Sequence, residues 1–190
     1  MPRDGSATRD QIVAVAMRRF VEHGYDKTSL REIADEVGVT KAALYYHFRT
    51  KEDIVGSAMS GYADRFEELA SWARTEPPGR ARDEQLVDRL LTLVQSDGGI
   101  ILRFGQTNPA VVERSEFGGM QLGVLRTLVS AIAGDDPTPE ASLRATLLFA
   151  ALMLGAVGGE SPLPIGGDQV TRTAAARAVA LDLLAPLGAP

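Results

Sequence analysis

Thr28-Ser29-Leu30-Arg31-Glu32-Ile33-Ala34-Asp35-Glu36-Val37-Gly38-Val39-Thr40-Lys41-Ala42-Ala43-Leu44-Tyr45-Tyr46-His47-Phe48-Arg49-Thr50-Lys51 is the stretch that decides the fold. Ser29 and Glu32 stand at the spacing of a capping box, which satisfies two backbone donors at a helix start. Leu30, Ile33, Ala34 and Val37 then recur on one helical face. Gly38 stops that helix, since it adopts the left-handed cap at no steric cost. Thr40 caps a second, short helix with Leu44 and Phe48 four apart. Helix, glycine-containing turn and helix form a helix-turn-helix. In that motif the first helix packs behind, and the second enters the DNA major groove by its N-terminal end. With Leu44 and Phe48 facing the core, Lys41, Ala42, Tyr45, Tyr46 and His47 are left toward solvent or DNA. Two aromatics, a lysine and a histidine suit phosphate contacts and packing on thymine methyls better than plain surface. Tyr45 also fits a core ring whose hydroxyl reaches a phosphate.

Outward from this motif the chain reads as helix after helix, an all-α protein of about nine helices. Thr8 and Gln11 predict a capped first helix with Ile12, Ala16 and Phe20 on one face, ended by Gly24. Thr50 caps a fourth, long helix to about Ala73, carrying Ile54, Ala58, Tyr62, Phe66 and Leu69 inward. Glu76-Pro77-Pro78-Gly79 breaks the chain. A helix from about Arg82 to Asp97 is expected to end at Gly98-Gly99. A short apolar piece, Ile100 to Phe104, leads to Asn108-Pro109, a cap with proline in the first turn. Further helices are predicted over about Phe117–Ala133, Thr138–Val157 and Gln169–Leu184, with a Gly- and Pro-rich loop from Gly158 to Gly167.

The net charge of −5 is unevenly spread. Residues 1–51 hold nine basic and seven acidic side chains, net +2, and all three lysines, Lys27, Lys41 and Lys51. Residues 52–190 hold 11 basic and 18 acidic, net −7. The split suggests a head that meets phosphate and a body that does not. The chain has no cysteine and two distant histidines, His23 and His47, which leaves no cysteine chemistry and little for a metal site. We expect no cofactor and no metal. The longest uncharged apolar run, Ala145 to Gly159, has 15 residues, short of the roughly 20 a membrane span needs. With no signal peptide in view, the expected location is the cytoplasm. Gly98-Gly99, Gly118-Gly119 and Gly158-Gly159 lack the strand context of phosphate-cradling loops, and no Ser/His/Asp set is present, so the chain reads as a non-enzyme.

Residues 28–51 closely resemble the tetracycline-repressor (TetR) family, whose pattern reads T-[ST]-x-x-x-I-A-x-x-x-G-V-[ST]-x-x-x-L-Y-x-H-F-x-x-K. The strong resemblance covers roughly residues 8–55; the remainder is similar only in helix count and length. The resemblance implies a DNA-binding domain at 1–51 and an effector-binding and dimerisation domain at 52–190. It implies that Thr28 and Ser29 hold a phosphate at a helix start, and that Thr40, Lys41 and Ala42 lie nearest the bases. By the same resemblance Tyr45, Tyr46 and His47 grip backbone and methyls, and Lys51 contacts a phosphate. Ala42 and Ala43 are small, so shape readout carries part of the specificity.

In the body, Leu143 to Val157 is apolar almost all round and must be covered on every side. The final helix has the small residues Ala174, Ala175 and Ala178. The pair reads as a homodimer interface through the last two helices; a central helix in a monomer is the alternative. A pocket for a small, largely apolar effector is expected among Tyr62, Phe66, Phe104, Met120, Phe149 and Met153, with Arg103, Gln106 and Asn108 as polar fixtures near its mouth. The function expected from all this is a transcriptional regulator, a repressor released from a pseudo-palindromic double-stranded operator by that effector. The alternative is a regulator or activator controlled by a protein partner with no small-molecule pocket.

Overall fold

The computed structural model describes residues 5–114, 117–157 and 165–185. Among these residues there are ten α-helices, one π-helical turn and no strand. They form two compact units, Met1–Tyr62 with Ile100–Gly118, and Ala63–Gly99 with Gly119–Pro190.

The first unit is built on α1 (Gly5–His23), α2 (Leu30–Val37), α3 (Lys41–His47) and the start of α4 (Lys51–Thr75). Thr8 does not start α1: the helix is already formed at Gly5, so that expectation is corrected. The predicted face holds, with Ile12, Ala16 and Phe20 fully buried. Gly24 ends α1 at φ +94°. Ser29 and Glu32 form the complete capping box of α2, and Gly38 caps it in the left-handed region at φ +77°. The Gly38 and Val39 amides both return to the Ala34 carbonyl at 3.0 Å, which fixes the turn. Thr40 Oγ1 accepts the Ala43 amide at 3.1 Å and so starts α3. At the start of α4, Thr50 Oγ1 accepts from the Asp53 amide and Asp53 Oδ2 accepts from the Thr50 amide, a reciprocal cap.

The predicted stop at Gly98-Gly99 is also corrected. α5 (Arg80–Leu93) passes through a π-helical turn (Val94–Gly98) into α6 (Gly99–Thr107), with Gly99 in ordinary helical geometry. Glycine permits a break but does not impose one. Buried Leu90, Val94, Ile101 and Phe104 on both sides keep the backbone helical, tertiary packing outweighing propensity. α7 (Pro109–Arg114) follows, with proline in its first turn. α6 and α7 raise the helix count from about nine to ten.

The second unit contains most of α4, α5, α8 (Phe117–Ala133), α9 (Pro139–Val157) and α10 (Gln169–Leu184). α10 packs along α9 and also against α5. Its core includes Leu86, Leu90, Leu128, Leu148 and Leu152. The close approach of α9 and α10 requires Gly155: a Cβ there would meet the Ala176 Cβ at 2.3 Å. Among the described residues no helix is long and apolar enough to cross a membrane.

Candidate nucleic-acid interface

Three ion pairs clamp α1 to α2. Glu36 accepts from Arg18 and Arg19 at 2.5 Å each, and Arg19 also lies 3.7 Å from Glu32. The hydrogen bonds from Arg19 and then Arg18 hold Glu36 below the usual carboxylate range. Glu32 is lowered too, first by the Ser29 amide it caps. Apolar burial of Ile33, Ala34, Val37 and Leu44 then seats α2 and α3. The positions of their outer faces follow from that seating.

α3 turns most of its polar and aromatic side chains outward. Tyr46 is 86% exposed, and Thr40, Lys41 and Ala42 are exposed with it. Tyr45 is 43% exposed, with the Lys41 ammonium 5.5 Å from its ring centroid. His47 is half-buried and meets the Tyr46 ring edge-on at 5.3 Å. Ser29 is exposed, and its hydroxyl is tied into the α2 cap.

Two residues stand otherwise. Thr28 is only 2% exposed, and its hydroxyl donates to the Gly24 carbonyl at 2.9 Å. Its side chain closes the end of α1 and is not presented to a phosphate; this corrects the expectation for Thr28. Lys51 donates to the Tyr25 carbonyl, an arrangement the motif spacing does not reveal. An ammonium has three donors, so two remain for a phosphate.

Sequence reasoning passed over Arg31, Lys27 and Arg49, all exposed. Arg31 stands in the first turn of α2, 3.9 Å from Asp35, and Lys41 in the first turn of α3. Cations there oppose the helix dipole unless an anion joins them. That misplaced charge was the available signal. The exposed face therefore combines cations, aromatic edges and small residues, the groups that bind phosphate backbone and thymine methyls.

The residues expected around an effector are divided between the two units. Phe66 and Phe149 meet edge-on at 5.6 Å in the second unit, with Met153 one turn along α9. Phe104 instead is fully buried in the first unit, 6.1 Å from the Phe20 ring and 5.8 Å from that of Tyr25. It is core there, which corrects its assignment to the pocket. Tyr62 and Arg103 also fall in the first unit. The side chains of Gln106 and Met120 lie outside the described residues.

Residues 12–58 match the family described as bacterial regulatory proteins, tetR family. Over 73 residues the chain is 33% identical to the HTH-type transcriptional regulator TtgR of Pseudomonas putida, covering 38% of this chain and 35% of that protein. Over 63 residues it is 32% identical to the HTH-type transcriptional repressor KstR2 of Mycolicibacterium smegmatis, covering 33% and 31%. The matched segment thus spans about a third of the length of these curated relatives. Among solved structures, Mycobacterium smegmatis AmtR is similar over 95% of this chain and 88% of its own, with TM-score 0.55 and 26% identity. A TetR transcription regulator from Haloarcula marismortui is similar in fold over 96% and 98%, with TM-score 0.64 and 23% identity. Residues 12–58 thus carry the segment that marks the tetR family of bacterial regulatory proteins, and the described helices share the fold of TetR-family structures.

Proposed function

We propose that the chain is a DNA-binding transcriptional repressor, released from a pseudo-palindromic operator by a small, largely apolar ligand. The single observation that carries this reading is the exposed Lys41-Ala42-Tyr45-Tyr46 face of α3, mounted by the left-handed cap at Gly38. Thr40, Lys41 and Ala42 lie nearest the bases. Ser29, Tyr45, Tyr46, His47 and Lys51 contact backbone and methyls. The domain that performs this is residues 1–51, and a protein working on the chromosome works in the cytoplasm.

A homodimer through α9 and α10 brings two heads to one duplex. Leu143 and Val170 are 58% and 78% exposed in the single chain, and Leu147 and Val179 lie exposed on the same two helices. Paired across a two-fold axis, these side chains leave water. The effector contacts Phe66, Phe149 and Met153 in the second unit. It acts only if it binds one state of the dimer better than the DNA-competent state.

Selection of genomic fragments by the purified protein tests the reading. The expected yield is a pseudo-palindrome whose half-sites lie about 34 Å apart, one turn of duplex. Enrichment of no sequence over bulk DNA overturns it.

A further inference from the structure

Ile100–Gly118, which holds nearly all of α6, packs in the first unit with the helices of the head. α6 therefore supplies core to the head from outside residues 1–51. Its Phe104 is fully buried and meets the Tyr25 ring edge-on, at 5.8 Å and 70°. Phe20 meets the same Tyr25 ring edge-on at 5.0 Å and 63°. Such pairs prefer a definite geometry, so two edge-on neighbours fix the plane of the Tyr25 ring.

Lys51 rests on that ring. Its ammonium lies 4.2 Å from the Tyr25 ring centroid and donates to the Tyr25 carbonyl at 2.6 Å. The same carbonyl accepts the Thr28 amide at 3.3 Å, so the acceptor is itself held by the turn after α1. Lys51 is half-buried, whereas Lys27 is exposed. A lysine stem is flexible and loses rotamer freedom on gripping a partner. A cation–π contact depends on where the ring face lies. With the Tyr25 ring fixed, the Lys51 stem is ordered before DNA arrives, and the two remaining donors of its ammonium stay at the start of α4. Ordering a side chain in advance strengthens binding by cutting that cost.

We propose that Phe104 is a positioning residue for DNA binding: through Tyr25 it holds the Lys51 ammonium where that group meets a phosphate. The proposal rests on the phosphate contact read for Lys51 above. It extends the operator-binding machinery to a helix beyond residues 1–51.

Lys27, Lys41 and Lys51 are the only lysines in the chain. The full chain, labelled with carbon-13 at lysine Cε, therefore gives one NMR signal from each, assigned with Lys51→Met and Lys41→Arg. Protons over a ring face resonate upfield, so the Lys51 signal should lie upfield of that of Lys27. Phe104→Leu keeps an apolar side chain and loses the edge-on ring. It should move the Lys51 signal toward that of Lys27. It should also weaken binding to the operator duplex recovered by genomic selection roughly two- to fivefold, the scale of one cation–π contact. The salt slope should fall in the direction of Lys51→Met, by up to about one per head. Adding Lys51→Met to Phe104→Leu should then cost less than it does in the parent. Ile12→Val, a core change about two turns of α1 before Phe20, should leave signal and slope as in the parent.

A Lys51 signal that is not displaced in the parent overturns the proposal. So does a Phe104→Leu variant, folded by circular dichroism, that keeps the displaced signal or the parental slope, and so does a parental slope in Lys51→Met. Phe104→Met carries the same test if Phe104→Leu does not fold. Recovery of no operator overturns the functional reading and this proposal with it; an operator whose salt slope ignores Phe104→Leu overturns this proposal alone.

Discussion

The ammonium of Lys51 donates to the Tyr25 carbonyl at 2.6 Å and lies 4.2 Å from the centroid of the Tyr25 ring. One side chain thus ties the first turn of α4 to the turn after α1, across the backbone that leads into α2. Lys51→Met keeps the alkyl stem and loses both contacts. The expected cost to the head is about 2–4 kcal/mol, the sum of one hydrogen bond to a charged group and a cation–π contact. Denaturant midpoints by circular dichroism check this, alongside operator affinity. An unchanged midpoint with weakened binding assigns Lys51 to phosphate alone.

Gly155 permits the contact of α9 with α10. A Cβ at that position meets the Ala176 Cβ at 2.3 Å and the Arg172 carbonyl at 3.0 Å. Gly155→Ala should therefore destabilise the second unit by about 1–3 kcal/mol, the usual range for overpacking. Ala176→Gly in the same chain should restore much of the loss, a coupling that two independent sites do not show. If the double variant is no more stable than Gly155→Ala alone, the crowding lies at the Arg172 carbonyl.

Acid should unfold the protein through its capping and bridging carboxylates. Glu36 and Glu32 are held low as described; Asp88 is held low by Arg177, and Asp53 and Asp168 by the helix starts they cap. Their folded values lie below the ordinary 4.5 for Glu and 3.8 for Asp. Their stabilisation is therefore complete above those values and fades as pH falls through the lower folded ones. Thermal midpoints should hold near neutral pH and drop below about pH 4.5. Glu36→Gln should be less stable at neutral pH and show a shallower drop. A midpoint that stays level down to about pH 3 removes these carboxylates from the account.

The parts of the fold legible in sequence are those set by neighbours. Ser29 with Glu32, Gly38 and Thr40 act within one turn, so the motif and its outer face could be placed residue by residue. Thr28 was misplaced for the same reason. Its motif position is right, but its hydroxyl is taken by Gly24, a choice set by how α1 ends. Phe104 joins Phe20 and Tyr25 from about eighty residues away, and no local period carries that information. The glycine pair at 98 and 99 misled because a local propensity was read without the buried side chains on either side.

Tyr46 separates recognition from stability. Its ring is 86% exposed and is in ring contact with His47, so folding gains little from it. Tyr46→Ala should leave the thermal midpoint unchanged and weaken operator binding by about tenfold, the worth of one good apolar or hydrogen-bonded contact at a groove. Because the ring carries no charge, the dependence of affinity on salt should keep its slope. Lys41→Ala should instead lower that slope by about one, since one phosphate contact and its released counterion are lost. The pair of measurements distinguishes a face that reads duplex DNA from one that is merely cationic. If Tyr46→Ala binds as the parent does and Lys41→Ala keeps the parental slope, α3 is not the surface that meets the operator.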